Sequence, residues 1–416
     1  MTKADARSAF QYGLTIFTLT ALLGLANATQ IFGALDRNTL LTHLHSGTLG
    51  WITMGVIGLS VWIFGGTGKT TAIRISALST AAYVLAFWSG NFFARATFGT
   101  TELLVIVYWW WFAVSSGMRE GFGRLDIPRL SVIFGLTTLV IGSTLGVIVQ
   151  IILATGGEIP TSPNFVGAHA SAQTGGYLVL VAAGFIEWQL TGGGKRSTLG
   201  LIQVGLLFVG GLLLAFGFLL SEQLGPQLAQ ALPGIATLLT LAGILIVALR
   251  FGRAALGVSW TSGGARHVAI AIAFLIVAVV LQVFLVQQFI AAQGDPSKVS
   301  IGLLHSLDHS YFIGLMTNVL FGAILILTRE NAQSWSWADS VVFWGLNIGV
   351  SAFLVVLLTV GSGEGAKPFT HPVSFTAPIM GLAALLGIVT LLMRLQSART
   401  PPSRPRTLKK RMAAEG

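Results

Sequence analysis

Apolar runs of about 20 residues, separated by short polar or glycine-bearing segments, recur from residue 10 to residue 394, and a run of that length crosses a hydrocarbon layer as a helix. Twelve such spans are predicted, near 10–33, 40–65, 71–94, 101–118, 130–154, 164–190, 197–221, 231–250, 267–292, 300–328, 337–360 and 373–395. The expected fold class is therefore all-α: a polytopic membrane protein with one membrane domain over 1–395. The remaining 396–416, basic and containing Pro401, Pro402 and Pro405, reads as a disordered cytoplasmic tail. The first span is too long, and its flanks too poor in a cleavage pattern, for a removable signal peptide, so it is expected to stay in the chain.

Charge between the spans sets an orientation. With both termini placed inside, the outer segments keep only Arg37, Arg95, Lys298 and Lys367 of the 24 basic residues. That asymmetry is the one that cytoplasmic loops of bacterial inner-membrane proteins carry. The net charge of +10 then reports topology and anionic lipid headgroups, and it gives no reason to invoke nucleic acid. Cysteine is absent from the sequence, which excludes disulfides, thiolate metal ligands and thioether attachment of a c-type haem. The 51 glycines suit close helix packing in lipid, Gly47 and Gly50 within one motif and Gly205, Gly210 and Gly211 within another span.

The seven histidines are sorted by this topology. Spans two, six and ten all run from outside to inside and carry, in their first turns, His43 and His45, then His169, then His305 and His309. Five histidines thus share one depth, and an ionisable side chain inside a membrane span is expensive and usually functional. The segments HLHSGTLGW, AHASAQTGGY and HSLDHSYFIG each open on histidine and small polar residues and then turn apolar. They read as a four-helix repeat used three times, giving three arcs of four helices. Residues two apart on a helix lie about 200° apart and residues four apart about 40°. His43 and His45 therefore face opposite ways, each able to serve a different prosthetic group, while His305 and His309 share a face. Imidazole is the natural neutral ligand of haem iron and copper, and a bis-histidine haem between two helices is the leading expectation. Asp308, held between His305 and His309, is a candidate for orienting an imidazole.

HLHSGTLGW resembles the motif that carries both haem-ligating histidines in the catalytic subunit of haem–copper oxidases, most closely the cbb-type and nitric oxide reductase-like members. The segment from Leu304 to Glu330, with Asn318, is similar in character to that family's other low-spin haem helix. The resemblance implies the twelve-helix fold and haem b, one or two per chain. One of His43 and His45 with one of His305 and His309 would ligate a six-coordinate haem, and the other of the first pair would be the proximal ligand of a five-coordinate one. It further implies electron transfer, a quinol or cytochrome donor, and binding or reduction of a small diatomic gas, nitric oxide or oxygen. The family's copper site takes one histidine from helix six and an adjacent pair from helix seven. His169 fits the first, so copper or non-haem iron at His169 is an expectation, but span seven contains no histidine and the standard copper site is lost. His371 or Glu102, both near the outer face, would be needed to complete an unusual one.

Two other readings stand beside this one: a non-catalytic haem or copper protein that senses or handles its cofactor, and a twelve-helix transporter, which needs mid-membrane charge that this chain largely lacks. Glu187, Asp339 and His267 read as solvated residues at the inner interface. The aromatic run from Tyr108 to Phe112 reads as packing at a lipid boundary. The segment from Gly65 to Thr70 lacks both the spacing and the preceding strand of a phosphate loop.

Overall fold

The computed structural model describes residues 2–220, 222–292, 298–331 and 335–397, so the basic tail from 398 onward lies outside the described residues. Twelve long helical rods run through the described residues. They are α1 (Thr2–Thr29), α2 (Arg37–Ile63), α3 (Thr70–Ser89), α4 (Phe92–Glu120), α5 (Ile127–Ala154), α6 (165–191), α7 (Thr198–Leu219), α8 (Gly225–Leu256), α9 (Ala265–Ala291), α10 (Ile301–Leu327), α11 (Ala338–Thr359) and α12 (Val373–Ser397). All but α6 meet the length and apolarity that a membrane crossing requires. The chain is a polytopic all-α membrane protein.

Several rods extend beyond the apolar runs that predicted them, because hydropathy marks only the part of a helix that lies in lipid. Side chains set the starts. Asp36, Asn91, Asp126, Asn164, Ser197 and Ser300 each accept a hydrogen bond from a backbone N–H in the first turn of the rod that follows. The ends of α3 and α6 fall at Gly90 and Gly192, which take the left-handed conformation that only glycine adopts without strain.

The rods form three arcs, α1–α4, α5–α8 and α9–α12, closed into a ring by packing of α4 on α5, α8 on α9 and α12 on α1. The second rod of each arc lies innermost. In α2 and α10, 78 % and 83 % of the most apolar stretch is buried, against at most 61 % in the other spans, and every residue of α6 from Val179 to Glu187 is buried. These three rods also share a backbone feature. Immediately after the histidine-bearing turns each widens into a π-helix, over Ser46–Thr53, Ala172–Leu178 and Ser310–Thr317. The Thr53 and Thr317 hydroxyls donate to the carbonyls five residues back, Thr48 and Phe312, as the wider turn allows.

Aligned on Ser46, Ala172 and Ser310, the repeats superimpose chemically. Gly50, Gly176 and Gly314 fall together, and a Cβ on each would lie 2.2 Å from Ile16, 2.9 Å from Thr138 and 2.4 Å from Phe274. Those partners sit on α1, α5 and α9, the first rod of each arc, so one close helix approach is built three times. Two polar bonds then link the inner rods. Trp51 Nε1–H donates to Thr317 Oγ1 (3.0 Å), and the Tyr177 hydroxyl donates to Thr53 Oγ1 (3.2 Å). At the third junction the matching residues are Leu315 and Val179, both fully buried and apolar.

At the end of the bundle away from the histidines, Glu187 and Asp339 depart from expectation. Glu187 is 2 % exposed and pairs with Arg250 (2.8 Å), which also donates to Gln203 (2.7 Å), and Asp339 pairs with Arg394 (2.6 Å). His267, expected in water, is buried, its Nδ1 2.8 Å from Asn318 Oδ1 and its ring edge-on to Phe343. Depth along a span says nothing of what a neighbouring rod brings to the same level. Here Arg250 on α8 and Asn318 on α10 supply the partners, and losing one member of such a buried charge pair costs about 3–5 kcal/mol.

Candidate cofactor site

The five histidines on the inner rods, at the other end of the bundle, fall into two structural kinds, with His305 apart. In the first kind, a carbonyl of the preceding rod holds the ring. His43 Nδ1 lies 2.9 Å from the carbonyl oxygen of Thr20 on α1, and His169 Nδ1 lies 2.7 Å from that of Gly142 on α5. A carbonyl only accepts, so Nδ1 carries the hydrogen and Nε2 presents a lone pair. One turn beyond each accepting carbonyl is a glycine that leaves room for the imidazole. A Cβ at Gly24 would lie 2.8 Å from His43 Cε1, and one at Gly146 would lie 2.9 Å from His169 Cε1. His43 and His169 occupy the same position in the aligned repeats. In the third arc that position is Leu307, and the residue matching the notch glycine is Gln282.

In the second kind, the ring bonds within its own helix. His45 Nδ1 donates to the Leu41 carbonyl and His309 Nδ1 to the His305 carbonyl, each at 2.7 Å, which again leaves Nε2 as the lone-pair nitrogen. Each ring rests on a phenylalanine of the third rod of its arc. His45 stacks on Phe87 with centroids 3.8 Å apart and planes 17° apart, and His309 meets Phe353 at 4.8 Å, inclined by 62°. Phe87 is itself covered by the Arg95 guanidinium, which bonds to the Phe87 carbonyl (2.8 Å) and to Asn38 Oδ1 (2.6 Å), fixing the start of α4 against α2. The matching position in the second arc is Ser171.

These two kinds meet across the arcs. His43 is close enough to His305 and His309 to interact electrostatically, and His45 is likewise close to His169. Two of the three junctions between inner rods thus hold one histidine of each kind. They are the two junctions that also carry the Trp51–Thr317 and Tyr177–Thr53 bonds. The third junction offers Ser171 and Leu307. The opposite directions of His43 and His45 follow from their spacing, and each direction leads to a different arc. The Nε2 atoms of His43, His45, His169 and His309 have no hydrogen-bond partner among the described residues and are not sealed off, whereas Nε2 of His267 is both sealed and unpartnered.

The other candidates are placed as follows. His305 is half-buried and interacts with Glu364 in the loop before α12. Asp308 hydrogen-bonds to neither histidine beside it among the described residues; the His305 carbonyl, not a carboxylate, orients His309. Glu102 on α4 is buried and accepts from the Thr80 hydroxyl (2.9 Å), and its other oxygen has no hydrogen-bond partner among the described residues. His371 lies in the turn before α12, where its Nδ1 accepts from the Val373 N–H. Neither is bonded to His169. Among the described residues no three His, Cys, Asp or Glu side chains converge to hold a metal. Trp109 and Trp110 are engaged in packing, donating to Ser76 (2.8 Å) and Thr137 (3.0 Å).

Gly24, Gly146, Phe87 and Phe353 were not legible as site residues from their own segments. Aligning the repeats on Gly50, Gly176 and Gly314 would have pointed to the first pair, through the rods those glycines pack against. No protein-family model and no curated protein matches this chain.

Proposed function

We propose that this is a b-type haem protein of the membrane, related in design to the haem–copper oxidase catalytic subunit, that transfers electrons and binds a small diatomic gas, nitric oxide or oxygen. The observation that carries this reading is the pair of histidine junctions, each bringing together from two different arcs one histidine of each kind, with Nδ1 held by a carbonyl and the Nε2 lone pair unpartnered among the described residues. The donor set fits haem: neutral imidazoles, each with Nδ1–H fixed by a carbonyl, the arrangement that orients such a ligand and raises its basicity. His43 and His309 would hold one haem, and His45 a second. Haem bound there supplies a one-electron centre and an iron that takes up diatomic gases.

The chain's own residues have definable tasks. The carbonyls of Thr20, Gly142, Leu41 and His305 keep each imidazole in one tautomer. Phe87 and Phe353 cover the rings of His45 and His309 and exclude water from one side. The Trp51 and Tyr177 bonds lock neighbouring inner rods at a fixed separation. The distribution of basic residues supports a bacterial plasma-membrane setting with both termini cytoplasmic and the histidines near the outer surface, within reach of a quinol or cytochrome donor.

The test is an optical spectrum of the purified protein, oxidised and dithionite-reduced. Sharp b-type bands on reduction are expected. A preparation without haem, made in cells supplied with haem precursor, would overturn the reading.

A further inference from the structure

We infer that His169 and His45 form one ligand pair: both would hold the second haem, so a gas would reach that iron only when one of the two leaves. The inference rests on the proposed haem function and changes what the second site is. The resemblance to haem–copper oxidases assigns the helix-six histidine to copper and leaves the haem on the two-histidine helix open on one face. The geometry of this chain points elsewhere.

His169 repeats His43 in every respect that defines its setting. It stands at the same place before the π-helical segment, donates from Nδ1 to a carbonyl of the first rod of its arc, and lies over a glycine one turn on, Gly146 in place of Gly24. His45 repeats His309 in the same way, with its i−4 carbonyl and its phenylalanine. If His43 and His309 embrace one haem across the junction of the third and first arcs, His169 and His45 have the same parts across the junction of the first and second.

The third junction is a built-in control. It has lost both histidines, to Ser171 and Leu307, and the notch glycine, to Gln282, and it has lost the ring-to-threonine bond as well, to Leu315 and Val179. These features are present together twice and absent together once, which marks them as parts of one device. The copper alternative has no matching support. The rod after His169, α7, contains no His, Cys, Asp or Glu from Thr198 to Leu219. A divalent copper bound through one imidazole would lack the further ligands that such ions need.

Two experiments on full-length protein test the pairing. In the ferric state wild type is expected to be entirely low-spin. His169→Ala is expected to convert one of the two haems to high-spin while the other stays unchanged. His169→Gly is expected to behave alike and to return to low-spin when imidazole is added, which separates a lost ligand from a damaged fold. In the ferrous state carbon monoxide is expected to combine with wild type at a rate that saturates with its concentration, set by departure of one histidine of the pair. With His169→Ala the rate should become proportional to carbon monoxide and rise several-fold. A wild type that is already half high-spin, with linear carbon monoxide kinetics untouched by His169→Ala, would overturn the pairing while leaving the haem reading intact. So would stoichiometric copper that His169→Ala removes without altering either haem. Absence of haem from wild type would instead sink the proposed function itself.

Discussion

Replacing His309 with alanine is expected to abolish one of the two proposed haem sites and spare the other, while His305→Ala leaves both. The two side chains share a helical face, and spacing alone does not choose between them. Their surroundings do. His309 donates from Nδ1 to the His305 carbonyl and rests on Phe353, the setting that His45 has with Leu41 and Phe87. His305 has no counterpart of that kind and interacts with Glu364 in a loop. His43→Ala should turn that same haem high-spin, as His169→Ala does the other, and the double variant should lose no more haem than His309→Ala alone, because both residues would serve one iron. Haem per chain and the low-spin ferric spectrum of each variant check this. Equal loss in His305→Ala and His309→Ala would assign the pair wrongly.

The second large effect belongs to residues that touch no cofactor. Gly24→Ala is expected to disable the site of His43 and His309, and Gly146→Ala the site of His45 and His169, each without harm to the other. A methyl group at either glycine arrives within 3 Å of an imidazole carbon. The ring must swing away, and it then loses the bond from Nδ1 to the Thr20 or Gly142 carbonyl that fixes its tautomer. Overpacking of this sort costs about 1–3 kcal/mol in a filled interior, and a ligand displaced by even an ångström no longer reaches its iron. The expected readout is a mixed-spin spectrum confined to one haem, with a modest fall in thermal stability. Gly205→Ala is the control: a Cβ there meets nothing within 4 Å, and no spectral change is expected.

The membrane fold was legible because its signal is summed over twenty residues at a time. The histidine rods were legible as well, since five imidazoles at one depth break the apolar pattern in three places. What hydropathy could not show was partnership across the bundle. Glu187 sits near the end of its span, where water is the default neighbour, yet Arg250 reaches it from α8 and the carboxylate is removed from solvent. His267 is likewise enclosed, by Asn318 and Phe343 from two other rods. The choice between His305 and His309 was equally closed to spacing arguments, since it depends on a phenylalanine more than forty residues away in sequence. The π-helical turns were also hidden, because they shift the register of each inner rod after its histidines without changing composition.

The three repeats explain why histidines meet at two junctions and not at three. A junction needs a histidine of each kind, a notch, and an aromatic ring that reaches the next rod. Arc one supplies both kinds of histidine, arc two only the first and arc three only the second, so two junctions receive a pair and the third receives none.

The most direct measurement is the number of b-type haems per chain, from pyridine haemochromogen absorbance against quantitative amino-acid analysis of the purified wild-type protein. Two per chain are expected, falling to one in both His309→Ala and His45→Ala. A single haem per chain that persists in both variants would contradict the assignment of His43, His45 and His309 as ligands.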